Sequence, residues 1–308
     1  MSAIEEQIRA AAREYLESGA VSRVIGYERG PNGQLRPAFV DRADDVERLV
    51  WSPECDLNLV KYLHNYKHSP GKGQPVPKVA VVARACDARA VNLLVHEQQI
   101  KRENVKVIGV VCERGKQNPT LPEGTEPSGR GNSGKAISAN GLPVTCRGCR
   151  ERLPVTYDML VQSGEPVQVP ENGADADIAE MEGWTPQQRL EYWLKEFDRC
   201  IRCYACRQAC PGCYCFECVA EQVDPHWVSI ATGTPEKYFF HLMRALHLAG
   251  RCVGCNACEA ACPMGIPLGK LNRKMAREVE ALFGYRTGDD PETAPPLATF
   301  QAAERLRL

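Results

Sequence analysis

The chain has 308 residues, more than one ordinary hydrophobic core needs, which favours two domains or one elaborated domain. Its composition, 44% hydrophobic and 25% charged, is that of a globular protein, and its apolar runs are too short for a transmembrane segment. The formal net charge of −1 provides no overall field that would attract nucleic acid or an anionic membrane.

The first half of the chain predicts a small α/β module. An amphipathic helix opens it, and two strands follow around a Pro-Asn-Gly turn. Short helices are expected at "DDVERLV" and "LNLVKYLHNY". The clearest signal is the succession "KVAVVA", "DARAVNLLVHEQQI", "VKVIGVVC", which is strand, helix and strand and therefore predicts a parallel pair.

The second half predicts mainly helices. Thr185 can cap a helix that begins at Pro186, with Gln188 as the return half of a capping box. Further helices are expected over "PEKYFFHLMRALHLAG" and over roughly residues 267–283. We predict the following segments: an α/β module at 1–165 with a mobile loop at 115–141, a linker at 166–184, a ferredoxin-like domain at 185–285 and a tail at 286–308.

The tail is rich in prolines and charges, a composition that suits a segment laid across a partner rather than a core. The sixteen cysteines, in a chain with no recognisable export signal, predict a cytoplasmic protein whose thiolates serve metals or redox chemistry. The alternative, a disulfide scaffold, is typical of short secreted chains.

Two segments share the spacing Cys-x2-Cys-x2-Cys-x3-Cys-Pro, which is the run found in bacterial ferredoxins with two 4Fe-4S clusters. In such runs the first three cysteines bind one cluster and the fourth binds the other. The first cluster is therefore expected on Cys200, Cys203, Cys206 and Cys262, and the second on Cys252, Cys255, Cys258 and Cys210. A zinc site would use paired CxxC knuckles and would leave half of each run unexplained.

Arginines crowd the same two runs, at positions 199, 202, 207 and 251. Cations at those positions would offset the negative charge of the clusters and raise their reduction potentials. The alternative is that they simply form a solvated surface.

Four more cysteines are expected to meet at the edge of the sheet. Cys86 follows one predicted parallel strand and Cys112 ends the next, so both lie at the carboxyl edge, and Cys146 and Cys149 form a CxxC pair. Together they could bind a third 4Fe-4S cluster. The alternative is two buried strand cysteines, which pack as small hydrophobic residues, and a free or zinc-bound CxxC.

The last four cysteines are Cys55, Cys213, Cys215 and Cys218. Three of them lie on one short stretch, and Cys55 could complete a site that holds a fourth iron-sulfur cluster or a structural zinc. Reduced, buried cysteines without a metal are the third possibility.

The stretches "KVAVVARACDARAVNLL", "VKVIGVVC" and "TCRGCRERLPVTYD" resemble the beta subunits of the deazaflavin-reducing hydrogenases and formate dehydrogenases. In that family a cysteine turn after a strand, a cysteine at a strand end and a CxxC recur in this order, and the module holds an iron-sulfur cluster. The resemblance implies FAD in catalytic members, which exchanges electrons with a deazaflavin coenzyme. Many members join this module to a two-cluster ferredoxin domain.

The expected fold class is α+β or α/β, namely a small mixed-sheet α/β module plus a two-cluster ferredoxin-like domain with extra helices. The first functional hypothesis is an electron-transfer subunit of a larger anaerobic oxidoreductase complex, of hydrogenase, formate dehydrogenase or heterodisulfide reductase type. It needs other subunits as partners and no acid, base or nucleophile. The alternatives are an FAD-containing subunit that acts on a deazaflavin or nicotinamide, and a zinc-bound interaction protein.

Overall fold

The computed structural model describes residues 2–52, 54–66, 74–112, 144–146, 148–164 and 175–296. All sixteen cysteines lie within these ranges, and each is a free cysteine. The predicted loop at 115–141 and the last twelve residues of the predicted tail lie outside them. Within the described ranges, no helix has both the length and the apolar composition required to cross a bilayer.

The first half is built on one five-stranded mixed sheet with the strand order β2-β1-β3-β4-β5. The strands are β1 (Arg23–Arg29), β2 (Leu35–Val40), β3 (Val79–Ala83), β4 (Val105–Val110) and β5 (Met159–Val161). Strands β1 and β2 are antiparallel, whereas β1–β3, β3–β4 and β4–β5 are parallel. The predicted mixed α/β class and the β3–β4 pair are confirmed. Strand β5 was not predicted, because a strand of three residues is too short to show the alternation of apolar and polar residues that identifies a strand.

Helices cover both faces of the sheet. Helix α1 (Ala3–Glu17) packs on one face, where Ile4 and Ile8 are buried against β-strand residues. Helix α2 (Ala85–His96) and the 3-10 helix Leu59–Tyr66 cover the other face. Because neither face meets water, every residue of β3 is buried. The other 3-10 helices are Ala43–Arg48, Arg102–Asn104 and Val144–Cys146.

The second half is helical, as the sequence predicts. Its helices are α3 (Ala176–Glu182), α4 (Pro186–Asp198), α5 (Ala205–Gln208), α6 (Thr234–His247), α7 (Ala257–Ala260) and α8 (Leu268–Phe283). The predicted capping box at the start of α4 is formed: Gln188 N–H donates to the Thr185 hydroxyl, and Thr185 N–H donates to the Gln188 side chain. Helix α3 lies inside the segment predicted as a linker.

A charged and aromatic junction joins the two halves. Glu97, at the end of α2, accepts hydrogen bonds from Tyr214 Oη at 2.6 Å and from Arg251 Nε at 2.7 Å. Lys61 donates to the backbone carbonyl of Cys213 at 2.8 Å, and His64 lies 3.1 Å from that of Pro211. The cysteine-rich stretch therefore rests directly on the sheet module.

The start of the predicted tail also packs on the sheet module. Arg89 donates to the carbonyl of Thr287, and Asn92 donates to that of Gly288. Gly288 has φ +71° and passes so close to α2 that a Cβ there would lie 2.1 Å from the carbonyl oxygen of Arg89. Only glycine fits this close approach.

Candidate metal centres

The first ferredoxin-type set gathers around one cavity. Cys200, Cys203, Cys206 and Cys262 all line it, together with aromatic and aliphatic side chains. The chain reaches this arrangement because Tyr204 adopts a left-handed conformation, with φ 58°, just before α5. Burial raises the pKa of the Cys206 thiol to about 11, against the opposing charge of Arg244 and with contributions from the thiols of Cys262, Cys200 and Cys203.

The second set repeats the same local geometry. Asn256, with φ 50°, takes the place of Tyr204 before α7. Burial raises the pKa of the Cys255 thiol to about 12, and the thiols of Cys210 and Cys252 contribute. Burial also raises the pKa of the Cys258 thiol, and the thiols of Cys210, Cys252 and Cys255 contribute. Cys252, Cys255, Cys258 and Cys210 are therefore near neighbours.

The surroundings of the first set fit a group that accepts hydrogen bonds. His241 lines the same cavity and is only 3% exposed. Among the described residues, neither of its ring nitrogens has a hydrogen-bond partner. Burial lowers its pKa to about 3, with help from Arg244 and Arg202, so the ring is neutral and keeps one N–H donor. Four thiolates and an unused donor suit the sulfurs of an iron-sulfur cluster.

The third set meets at the carboxyl edge of the sheet. Cys86 lies in the first turn of α2 after β3, and Cys112 lies two residues after β4, where its N–H donates to the carbonyl of Arg152 at 2.9 Å. Burial raises the pKa of the Cys149 thiol, and the thiols of Cys112 and Cys146 raise it further. Burial likewise raises the pKa of the Cys86 thiol, and the thiol of Cys149 contributes to this rise.

A buried ion pair fixes the turn that carries Cys86. Arg84 and Asp87 pair at 2.8 Å with both side chains almost fully buried. The Asp87 carboxylate also accepts the N–H of Arg84, which closes the first turn of α2. The guanidinium of Arg84 donates to the backbone carbonyls of Cys55 and Leu57, so the loop before the 3-10 helix is held against the same turn.

The third and second sets are adjacent. The thiol of Cys255 is among the groups that raise the pKa of Cys86, after burial and Asp87. One cavity is lined by Cys86 and Cys149 on one side and by Cys252 on the other. Its arginines are paired with carboxylates: Arg89 with Asp289, Arg150 with Asp175, Arg273 with Asp177, Arg277 with Asp175 and Arg286 with Glu151.

The four remaining cysteines lie in different surroundings. Cys55 is fully buried in the core of the sheet module, and its sulfur accepts the N–H of Ser52. The N–H of Cys213 donates to the carbonyl of Cys210 at 3.2 Å, and the interaction of the two side chains lowers the pKa of Cys210 and raises that of Cys213. Cys215 is exposed, and Cys218 packs against the core of the helical half.

A single metal ion would require its ligands to converge on one point, with sulfurs about 2.3 Å from it. Within the described ranges, which contain every cysteine of the chain, no three His, Cys, Asp or Glu side chains converge in this way.

Sequence reasoning missed the two polar residues of α6 that face the cysteines, His241 and Arg244. Arg244 donates to the backbone carbonyl of Cys206 at 3.0 Å. Their spacing of three puts both on one face of the helix. That face was not recognised because the apolar residues of "PEKYFFHLMRALHL" already account for a helix packed on a core.

Comparison with known proteins points to the same chemistry. Residues 196–266 match a 4Fe-4S dicluster domain. The chain is 38% identical to the F420-dependent formate dehydrogenase subunit beta of Methanocaldococcus jannaschii, over 94% of this chain and 93% of that protein. It is 22% identical to the F420-dependent formate dehydrogenase 1 subunit beta of Methanococcus maripaludis, over 94% of this chain and 92% of that protein.

Proposed function

The chain belongs to the family of F420-dependent formate dehydrogenase beta subunits and is an iron-sulfur electron-transfer subunit, and from this premise we propose a line of three 4Fe-4S sites within it. A beta subunit implies a complex of several subunits. The observation that carries the proposal is the cavity between the two halves, which is lined by Cys86 and Cys149 of the sheet edge and by Cys252 of the second ferredoxin-type set.

We assign the cysteines to the three sites as follows. The first site uses Cys200, Cys203, Cys206 and Cys262; the second uses Cys252, Cys255, Cys258 and Cys210; the third uses Cys86, Cys112, Cys146 and Cys149. A 4Fe-4S cluster, when bound, accepts and releases single electrons.

The second site lies in the middle of this line. Its Cys252 lines the same cavity as Cys86 and Cys149 of the third site, and Arg244 donates to the carbonyl of Cys206 in the first. Cys203 of the first site is exposed, so that end of the line is open to a partner subunit. The chain supplies the ligands and fixes their order, and we assign no residue as acid, base or nucleophile.

A second candidate function is an FAD-containing subunit that exchanges electrons with a deazaflavin or a nicotinamide. It is favoured by the names of the relatives and by the cavity at the carboxyl edge of the sheet, which is where α/β sheets bind their ligands. Its arginines are already paired with carboxylates, so the cavity by itself does not require an anionic ligand.

The test is the content of iron, sulfide, zinc and flavin in anaerobically purified protein, followed by EPR after reduction. We expect about twelve irons per chain, against about eight if only the ferredoxin-type pair is present and about sixteen if a fourth cluster exists. Bound flavin together with turnover of a deazaflavin would support the second candidate. Zinc with almost no iron would overturn both.

A further inference from the structure

The environment of Arg244 is unusual for an arginine. Its side chain is almost completely buried, with 5% exposed, on the inner face of α6. It donates to the carbonyl of Cys206 at 3.0 Å, and the thiol of Cys213 is among the groups that act electrostatically on it. Among the described residues, no carboxylate forms an ion pair with it, whereas Arg207 pairs with Glu221 at 3.0 Å.

A buried cation without a counter-ion is strongly unfavourable, because its lost hydration must be replaced by an anion or by hydrogen bonds. Arg244 lies between the two cysteine runs. It donates to the Cys206 carbonyl of the first run, and at the end of the same helix the carbonyl of Leu248 accepts the N–H of Cys252, in the second run, at 3.0 Å. The thiols that act electrostatically on its guanidinium are Cys206 of the first site, Cys210 and Cys258 of the second, and Cys213.

We propose that Arg244 is the shared counter-ion of the two ferredoxin-type sites and raises the reduction potential of both. This inference rests on the proposed function, since it requires clusters at these cysteines. A fixed positive charge stabilises the more negative, reduced form of a cluster. One residue between two sites shifts both potentials in the same direction. This limits the difference between the two potentials and favours electron transfer in either direction between the clusters.

Arg202 provides a matched comparison. It is also buried, with 7% exposed, and among the described residues no carboxylate pairs with it. Its backbone N–H donates to the sulfur of Cys200 at 3.3 Å, and its guanidinium stacks over Phe240 at 4.8 Å. Its side chain donates to the carbonyls of Ser229 and Glu236. Arg202 therefore adjoins the first site, whereas Arg244 lies between the two.

The experiment is EPR-monitored redox titration of the full chain carrying Arg244→Met, Arg244→Lys or Arg202→Met, with iron content measured on each sample. We expect Arg244→Met to lower the reduction equilibrium constant of both clusters about tenfold, or about 59 mV for one electron. Arg202→Met should shift only the first cluster. Arg244→Lys, which keeps the charge, should recover most of the potential of both.

Unchanged potentials in an iron-replete Arg244→Met protein would overturn the inference, and so would a shift confined to one cluster. An Arg244→Lys protein that shifts as far as Arg244→Met would also overturn it, because geometry rather than charge would then be responsible. If Arg244→Met does not retain iron, Arg244→Gln, which keeps a donor for the Cys206 carbonyl, makes the same comparison. Fewer than about eight irons in the unmodified chain would instead overturn the proposed function.

Discussion

The two halves of the molecule bring cysteines together in different ways. In the helical half, three ligands of each set lie within seven residues, and one left-handed residue before a short helix turns them inward. In the sheet half, four cysteines between positions 86 and 149 meet only because β3 and β4 run parallel and end at the same edge. Local spacing builds the first kind of site, and strand order builds the second.

The charges around the two kinds of site also differ. Beside the ferredoxin-type sets, Arg202 and Arg244 are buried without a carboxylate among the described residues. Beside Cys86, the buried cation Arg84 is matched by the buried anion Asp87. A matched pair adds little net field, whereas Arg152 Nη1 lies 3.9 Å from the sulfur of Cys112, so the cation that acts on the sheet-edge site lies at Cys112 rather than at Cys86.

The largest effect is expected from the ligand that crosses between the two cysteine runs. Cys262→Ala should remove about four irons per chain and the EPR signal of the first cluster, because its other three ligands cannot fill the fourth position. The signal of the second cluster should remain, since Cys210 is untouched. Iron and sulfide analysis with EPR measures both.

Loss of both ferredoxin-type signals in Cys262→Ala would show that the two sites do not assemble separately. The matched substitution Cys210→Ala should give the mirror result, losing the second signal and keeping the first. If each substitution instead removed the opposite signal, the crossing assignment would be wrong while the two-cluster domain stayed intact.

The sheet-edge site is tested by Cys149→Ser. Cys149 neighbours Cys112, Cys146 and Cys86, so its loss should remove the third cluster, about four irons, and leave both ferredoxin-type signals at full intensity. Because Cys86 and Cys149 line one cavity with Cys252, the spin–spin broadening between the third and second clusters should vanish as well. An unchanged iron content would leave the sheet edge with free thiols and no cluster.

A smaller effect is expected at the junction, where the two halves depend on each other. Glu97→Ala leaves Tyr214 Oη and Arg251 without their acceptor, which should lower the free energy of unfolding by about 1–3 kcal/mol. Glu97→Gln keeps one acceptor and should recover part of that loss. Glu17→Gln, at the exposed end of α1, is the control and should be neutral. Chemical denaturation followed by far-UV circular dichroism measures all three.

The same difference between the halves explains what could be predicted from the sequence. The cysteine spacing, the capping box at Thr185 and the strand–helix–strand succession are local patterns, and the elements they predict are present. The junction at Glu97, the ion pair beneath Cys86 and the close approach of Gly288 to α2 are contacts between distant segments. No local sequence pattern predicts these contacts, because each depends on how the helices and strands pack against one another.

The smallest effect is expected from Cys215→Ser, which tests the predicted fourth centre. A cluster or a zinc ion on Cys55, Cys213, Cys215 and Cys218 would be lost with this substitution. We expect the content of iron and zinc to stay unchanged, because Cys55 is fully buried in the sheet module, the N–H of Cys213 donates to the carbonyl of Cys210, and Cys215 is exposed.

Cys213→Ser is the matched companion. It should keep all iron but shift the potential of the second cluster, because the side chain of Cys213 interacts with that of Cys210, a ligand of this cluster. Loss of about four irons or of one zinc in either protein would establish the fourth centre. Every cysteine of this stretch would then be a metal ligand.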